Sequence, residues 1–219
     1  MSYRKSAIIL FVGLIAFLSG CNGSSPSKEI YSHLEKAVSL EESFEKQQKE
    51  IVELEKKEQE LYSKIVDLSM DEFDKIKSIS KEAIDVIEKR KNKIVIEKES
   101  IEAAKEEFLK VKELITELED EKAKNKANAM YDIMVDRYDA YQELNKAYVS
   151  SLTLEKELYT LLQKEDLDQE VLTTHIKKIN ESYQKVLAAN KVFNEHTEKY
   201  NQLKKEFYEA AEIDVEYEK

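Results

Sequence analysis

Residues 69–118 decide the fold and read SMDEFDKIKSISKEAIDVIEKRKNKIVIEKESIEAAKEEFLKVKELITEL. Ser69-Met70-Asp71-Glu72 matches an S-x-x-E capping box, which opens a helix. From Phe73 to Leu118 one helix face then recurs every three or four residues without a slip, over 46 residues. At ~1.5 Å per residue this predicts a long helix of about 69 Å with coiled-coil character. The members of the face are Phe73, Ile76, Ser80, Ala83, Ile87, Arg90, Ile94, Glu97, Ile101, Ala104, Phe108, Val111, Ile115 and Leu118.

Glycine and proline are confined to the beginning of the chain. All 3 Gly and the 1 Pro lie within the first 26 of the 219 residues. Tight hairpin turns, phosphate-binding loops and nucleophile elbows need Gly for positive φ or for close backbone approach. With 37% charged and 42% hydrophobic residues, the composition predicts an all-α protein.

Three further helices follow from the same periodicity. The first covers roughly residues 28–67, and its apolar face is weakest around 45–60. A polar turn at 120–126 precedes the third helix. A break at 164–169, where Asp166 or Asp168 can cap, precedes the fourth. Short connections favour antiparallel neighbours, so we expect an elongated antiparallel up-and-down four-helix bundle with coiled-coil-like long helices. The inward face of the third helix contains Tyr131, Met134, Val135, Tyr138, Tyr141, Leu144, Tyr148, Leu152, Leu158 and Leu162. That of the fourth contains Leu172, Ile176, Ile179, Tyr183, Val186, Asn190, Phe193, Thr197, Tyr200, Leu203 and Phe207.

The first residues have the pattern of an export signal. Tyr3-Arg4-Lys5 is basic, and the apolar run at 7–17 is too short to span a bilayer, which takes about 20 residues. Leu18-Ser19-Gly20-Cys21 resembles the lipobox of bacterial lipoproteins, in which the Cys sulfur receives a diacylglycerol and becomes the new N-terminus. A plain secretory signal is the alternative, but the chain's 1 Cys falls at this position. Two acyl chains are enough for stable anchoring.

This pattern divides the chain into three parts. We expect a signal peptide at 1–20, a lipidated Cys21 with a flexible tether at 21–27, and a helical bundle domain at 28–219. The predicted location is the cell membrane, with the protein lipid-anchored through Cys21 on the extracytoplasmic face.

The charge of the chain excludes some partners. Removal of Arg4 and Lys5 with the signal lowers the formal net charge from −11 to −13. Nucleic acid is therefore not expected to bind, because phosphate binding requires clustered positive charge.

Tyrosine residues are the most visible candidates for a binding face. Tyr131, Tyr138, Tyr141 and Tyr148 crowd one side of the third helix. Their rings and hydroxyls suit a platform for glycans, or they pack inward with their hydroxyls at the bundle edge. The second interpretation is favoured, because the helix has no Phe or Leu stripe that would otherwise supply the core.

Polar residues on the inward faces are the next candidates. Arg90, Glu97 and Asn190 mark either a ligand cavity or, as we favour, paired residues that fix helix register or face solvent. The histidines His33, His175 and His196 are too far apart in sequence to share a metal on these helices. Asp132, Asp136 and Asp139 share a helix face, which is more typical of a solvated surface than of a cation site. The sequence predicts no metal, no cofactor and no catalytic residues.

The order of these features resembles the cell-wall-binding lipoproteins of Gram-positive bacteria. The resemblance is carried by the lipobox Leu18–Cys21, the Gly- and Pro-free helical body, and the segment AMYDIMVDRY at 129–138. It implies a four-helix up-and-down bundle and contact with the cell wall. We therefore expect a non-enzymatic envelope protein that binds peptidoglycan or an envelope protein partner. The alternatives are a helical-bundle hydrolase or sensor acting on wall fragments, and a structural, oligomerising coiled coil.

Overall fold

The computed structural model describes residues 25–215, which form α-helices and no strand. The helices are α1 (Pro26–Leu40), α2 (Glu42–Val66), α3 (Phe73–Leu109), α4 (Val111–Thr116), α5 (Glu121–Leu161) and α6 (Gln169–Ala210). α1 continues into α2, and α3 into α4, so the chain runs four times along one axis. The predicted all-α up-and-down bundle is confirmed.

Packing follows the order of the helices. α2 lies along α3, α3 meets α5, α5 lies along α6, and α1 contacts α3 and α4. Because successive passes are antiparallel, α1 begins and α6 ends at one end of the molecule, here called the terminal end. The α2–α3 and α5–α6 connections lie at the far end. α5 alone has 41 residues, or about 60 Å, so the molecule is elongated.

The predicted inward face of residues 73–118 is confirmed. Every member is buried except Phe73, which is half-buried. The continuous helix is wrong in one detail, because Lys110 separates α3 from α4. Its N–H donates to the Glu107 carbonyl, three residues back, at 3.3 Å. This is one hydrogen bond of the tighter 3-10 type, and the inward face keeps its register across it.

The start of this run lies where the capping box predicts. Met70–Glu72 form a 3-10 turn before α3, and Ser69 is extended with φ −89° and ψ 165°. The Glu72 carboxylate bonds to the Ser69 backbone, and this bond, after the larger effect of Lys75, lowers the Glu72 pKa.

The first predicted helix begins earlier than expected and is divided. α1 starts at Pro26, so Pro26 and Ser27, predicted as tether, are helical, because Pro suits the first turn. The division falls at Glu41. Ser100 Oγ donates to the Leu40 carbonyl at 2.6 Å and accepts from the Phe44 N–H at 3.1 Å, replacing a helical bond between them.

The predicted turn at 120–126 is also wrong. The connection is shorter, at 117–120, and the polar residues after it form the first turns of α5. Asp120 caps this helix by accepting from Ala123 N–H at 2.7 Å, and nothing in 121–126 breaks it. At the other connection the Asp168 prediction is confirmed, since its carboxylate accepts from the N–H groups of Glu170 and Val171 at 2.7 and 3.1 Å.

Two apolar clusters form the interior. The terminal core surrounds Phe108, Tyr138 and Phe207, and the far core contains Leu61, Ile65, Ile76, Ala83, Val86, Ile87, Leu152 and Tyr159. Tyr183 and Asn190, predicted on the inward face of α6, are exposed. Within residues 25–215 the backbone of α6 packs closely along α5 only, and near the terminal end its side chains reach α1, where Tyr208 donates to Glu35 at 3.1 Å. Buried polar side chains, among them Arg90, Glu97 and Arg137, also lie in the interior.

Candidate functional site

The four candidate tyrosines do not form an exposed row. Tyr138 and Tyr141 are 0% exposed, and Tyr131 and Tyr148 are half-buried. Tyr131 stacks on Phe108 with ring centroids 5.4 Å apart. A surface platform is therefore wrong for the two central rings, because they pack within the bundle.

Three polar layers instead cross the interior. One member of each layer lies at heptad spacing along the first pass, because Glu41, Gln48 and Glu55 follow one another every seven residues, and Glu55 accepts from Tyr148 Oη at 2.7 Å. Each layer is named here after the residue at its centre: Arg137, Glu97 or Arg90.

The Arg137 layer joins the start of α2 to α5 and α6. Arg137 donates from both terminal nitrogens to the Glu41 carboxylate at 2.8 and 2.7 Å, and from Nε to Thr197 Oγ1 at 2.9 Å. Arg137 is 5% exposed and Glu41 8%. A bidentate pair of this kind saturates most of the guanidinium.

The Glu97 layer has no basic partner. Glu97 is 2% exposed and accepts from Tyr141 Oη at 2.9 Å and from the Gln48 side-chain amide. Burial raises the pKa of Glu97 to about 7, although the bonds from Tyr141 and Gln48 oppose the shift.

The Arg90 layer is the most highly charged. Arg90 bonds to Glu155 at 2.5 Å, to Glu58, and to Tyr148 Oη at 2.8 Å from Nη2. Burial and, next, the nearby Glu155 carboxylate raise the pKa of Glu58 to about 7, although Arg90 opposes the shift. Arg90 and Glu97 are thus bonded across helices, as the register interpretation predicts, and their partners were missed because periodicity does not show which residues of different helices lie at one height.

One pocket opens beside the Arg137 layer. It has a volume of about 70 Å³ and lies between α1 and α6, with α5 as its floor. Lys204 lines it, is 8% exposed, and has its nearest acidic oxygen, Glu35 Oε1, at 3.5 Å. Burial lowers the pKa of Lys204, while Glu35 opposes the shift. This pocket was not predicted from the sequence, where its only signal is the seven-residue spacing of Thr197 and Lys204.

The remaining candidates lie apart. His33 bonds to Glu107 at 2.8 Å and His175 Nε2 to the Leu154 carbonyl at 2.8 Å. Among residues 25–215 no three His, Cys, Asp or Glu side chains are grouped to hold a metal ion. In the same part of the chain no helix is both long and apolar enough to cross a membrane. Leu18, Ser19, Gly20 and Cys21 lie outside the described residues, so the lipobox stays a prediction.

Comparison with known proteins places this bundle in a class. A family model described as "Putative cell-wall binding lipoprotein" matches residues 25–210. "Uncharacterized lipoprotein YkyA" of Bacillus subtilis (strain 168) is 35% identical over 201 residues, which cover 92% of this chain and 90% of that protein. A 1.6 Å crystal structure of a conserved protein of unknown function from Staphylococcus aureus covers 87% of this chain and 97% of its own, with a TM-score of 0.62 and 20% identity. The last similarity shows the fold alone.

The fold defines an elongated helical-bundle protein with polar layers in its interior. The chain belongs to the family described as "Putative cell-wall binding lipoprotein", which confirms the resemblance found in the sequence.

Proposed function

We propose that this protein is a non-enzymatic envelope lipoprotein. It is held by a diacylglycerol on Cys21 at the extracytoplasmic face of the cell membrane, and its bundle contacts peptidoglycan or an envelope protein partner. The observation that supports this most is the lipobox, which stands a few residues before the first helix of a bundle belonging to a lipoprotein family.

The absence of catalysis is part of the proposal. Hydrolysis of a glycan needs two accessible carboxylates, one with a raised pKa. Burial raises the pKa of both Glu58 and Glu97 to about 7, but these side chains are 7% and 2% exposed. They lie inside the bundle, where a polymeric substrate does not reach them.

The anchor is tested by replacing Cys21. We expect Cys21→Ser to move the protein from the membrane fraction to the medium, because no thiol remains for lipidation. Ser24→Ala, in the tether, is the matched control and should stay in the membrane fraction. Retention of Cys21→Ser in the membrane would contradict the anchor.

Wall contact is tested with the mature lipidated protein in detergent. A pull-down on purified peptidoglycan, with and without wall teichoic acid, should retain the protein if peptidoglycan is the partner. If neither preparation of peptidoglycan retains the protein, an envelope protein is favoured as the partner instead. Zymography on peptidoglycan examines the hydrolase alternative, and a lytic band would overturn the non-enzymatic assignment.

A structural, oligomerising role is the second candidate. The observation that favours it is exposed apolar surface in the far half, where Val66 and Leu187 are each 63% exposed and Val52 is 45% exposed. Sedimentation of the mature protein at micromolar concentration measures the oligomeric state, and a monomer would count against this role.

A further inference from the structure

We propose that the pocket between α1 and α6 binds a free carboxylate carried by a small apolar residue, the chemistry of a peptide C-terminus. This inference rests on the pocket itself and does not require that peptidoglycan is the partner.

The positive group is the first step. Lys204 Nζ carries three N–H donors, and its nearest acidic oxygen, Glu35 Oε1, is 3.5 Å away. Charge-assisted bonds of this type are ordinarily about 2.7–2.9 Å. The same Glu35 oxygen also accepts from Tyr208 Oη at 3.1 Å. Lys204 therefore lines the pocket as a buried cation with donor capacity to spare.

The neighbouring cation does not compete for this role. Arg137 is bound by both oxygens of Glu41 and by Thr197. Since the donors of this guanidinium are largely used, the cation on the pocket wall with incomplete bonding is Lys204, whose pairing with Glu35 is a single long contact at 3.5 Å. A new acceptor oxygen is expected to bind there rather than at Arg137.

The size and lining of the pocket limit the ligand. Apolar surface is supplied by Phe44, Met134 and Phe193. The centroids of the two phenylalanine rings lie 6.0 Å apart. Asn194 and Asn201 also line the pocket, and side-chain amides can bond to a peptide group. A volume of about 70 Å³ admits an end group of a few heavy atoms, such as one small amino acid.

The charge of the lining selects the kind of anion. Glu41 and Glu45 lie on the same walls as Lys204. A dianion such as phosphate is repelled by these carboxylates, whereas a single carboxylate matches the one incompletely bonded ammonium.

Methionine methyl groups give a direct test. Met134 lines the pocket, while Met70, at the far end, is 65% exposed. The mature lipidated protein, with 13C-labelled methionine methyls, is titrated in detergent with Nα-acetyl-alanyl-alanine. We expect the Met134 signal to shift with a dissociation constant of about 1 mM, as for a ligand of this size. The Met70 signal should not move, and the C-terminal amide of the same peptide and inorganic phosphate should leave Met134 unshifted.

Variants separate a binding role of Lys204 from a structural one. Lys204→Gln should weaken binding at least about tenfold, because a hydrogen bond to a charged group is lost. Lys191→Gln, exposed on the same helix, is the matched control and should bind normally. Asn201→Asp adds a carboxylate at an exposed position of the pocket and should also weaken binding, which keeps the test valid if Lys204→Gln does not fold.

Three results would overturn the inference: no Met134 shift with the acid, an equal shift with the amide, or unchanged affinity in Asn201→Asp.

Competition distinguishes the sources of the carboxylate. Displacement of the probe by soluble wall fragments with free peptide carboxylates, but not by the same fragments amidated, indicates the stem peptide of the wall. If the probe binds and neither displaces it, the carboxylate belongs to a free peptide or to a protein C-terminus. Both results support the pocket chemistry, and failure of the wall pull-down alone leaves it intact.

Discussion

The most informative single residue is Glu97, a buried carboxyl without a basic partner. Its acceptor bonds from Tyr141 and Gln48 fix three helices at one height. Burial nevertheless raises its pKa from 4.5 to about 7. In the window between these values the folded protein holds a proton that the unfolded chain releases. The contribution of Glu97 to stability is therefore greatest below about pH 4.5 and falls as the pH rises towards 7, by about 3 kcal/mol in total.

Glu97→Gln should remove this dependence. A neutral amide keeps an acceptor for Tyr141 and carries no charge to bury. We expect the free energy of unfolding at pH 8 to be higher by up to about 3 kcal/mol. The decrease of this free energy between pH 5 and 7 should become shallower, by an amount that corresponds to about one proton. Urea denaturation across this range is the measurement, with exposed Glu99→Gln as the control. A wild-type slope retained in Glu97→Gln would show that Glu97 is not protonated in the folded state.

Among the elements, the division between α1 and α2 shows how tertiary contact changes a helix. The sequence around Leu40 is a good helix former without Gly or Pro. Ser100 of α3 bonds to both the Leu40 carbonyl and the Phe44 N–H. At this division Glu41 pairs with Arg137, beside the pocket. The bonds from Ser100 of α3 therefore lie at the same point of the backbone as a residue of the candidate site.

Ser100→Ala should destabilise the bundle by about 1–3 kcal/mol, because a buried donor and acceptor lose their partner. Part of this cost is recovered if α1 and α2 join into one helix. Thermal and urea unfolding measure the loss, and Ser78→Ala, exposed on the same helix, should change stability by less than about 0.5 kcal/mol. Equal effects of the two substitutions would contradict the bridging role of Ser100.

At the scale of the whole molecule, periodicity accounts for the four passes and for the inward face of residues 73–118. It does not reveal which side chains bond to one another across helices, because the pairing of Arg90 with Glu58 and Glu155 depends on the relative heights of three helices. The same reason hid the pocket, whose Glu41 and Lys204 are 163 positions apart. Asp120 shows another limit: a polar stretch without Gly or Pro resembles a turn in composition, yet one capping carboxylate makes it helical.

The final prediction concerns the orientation of the anchored molecule. α1 begins at Pro26, only a few residues after Cys21, so in the proposed lipid-anchored state the terminal end lies near the membrane and the far end about 60 Å away along the bundle. A mature charge of −13 repels anionic lipid head groups and favours an upright position. Single cysteines at Glu119, near the terminal end, and at Asp67, at the far end, can carry a fluorescent donor, because the proposed lipidation blocks the Cys21 sulfur. In anionic vesicles with acceptor-labelled lipids, we expect strong energy transfer from position 119 and weak transfer from 67. Vesicles of neutral lipid are the control for the charge effect, and equal transfer from both positions would mean that the bundle lies flat on the membrane.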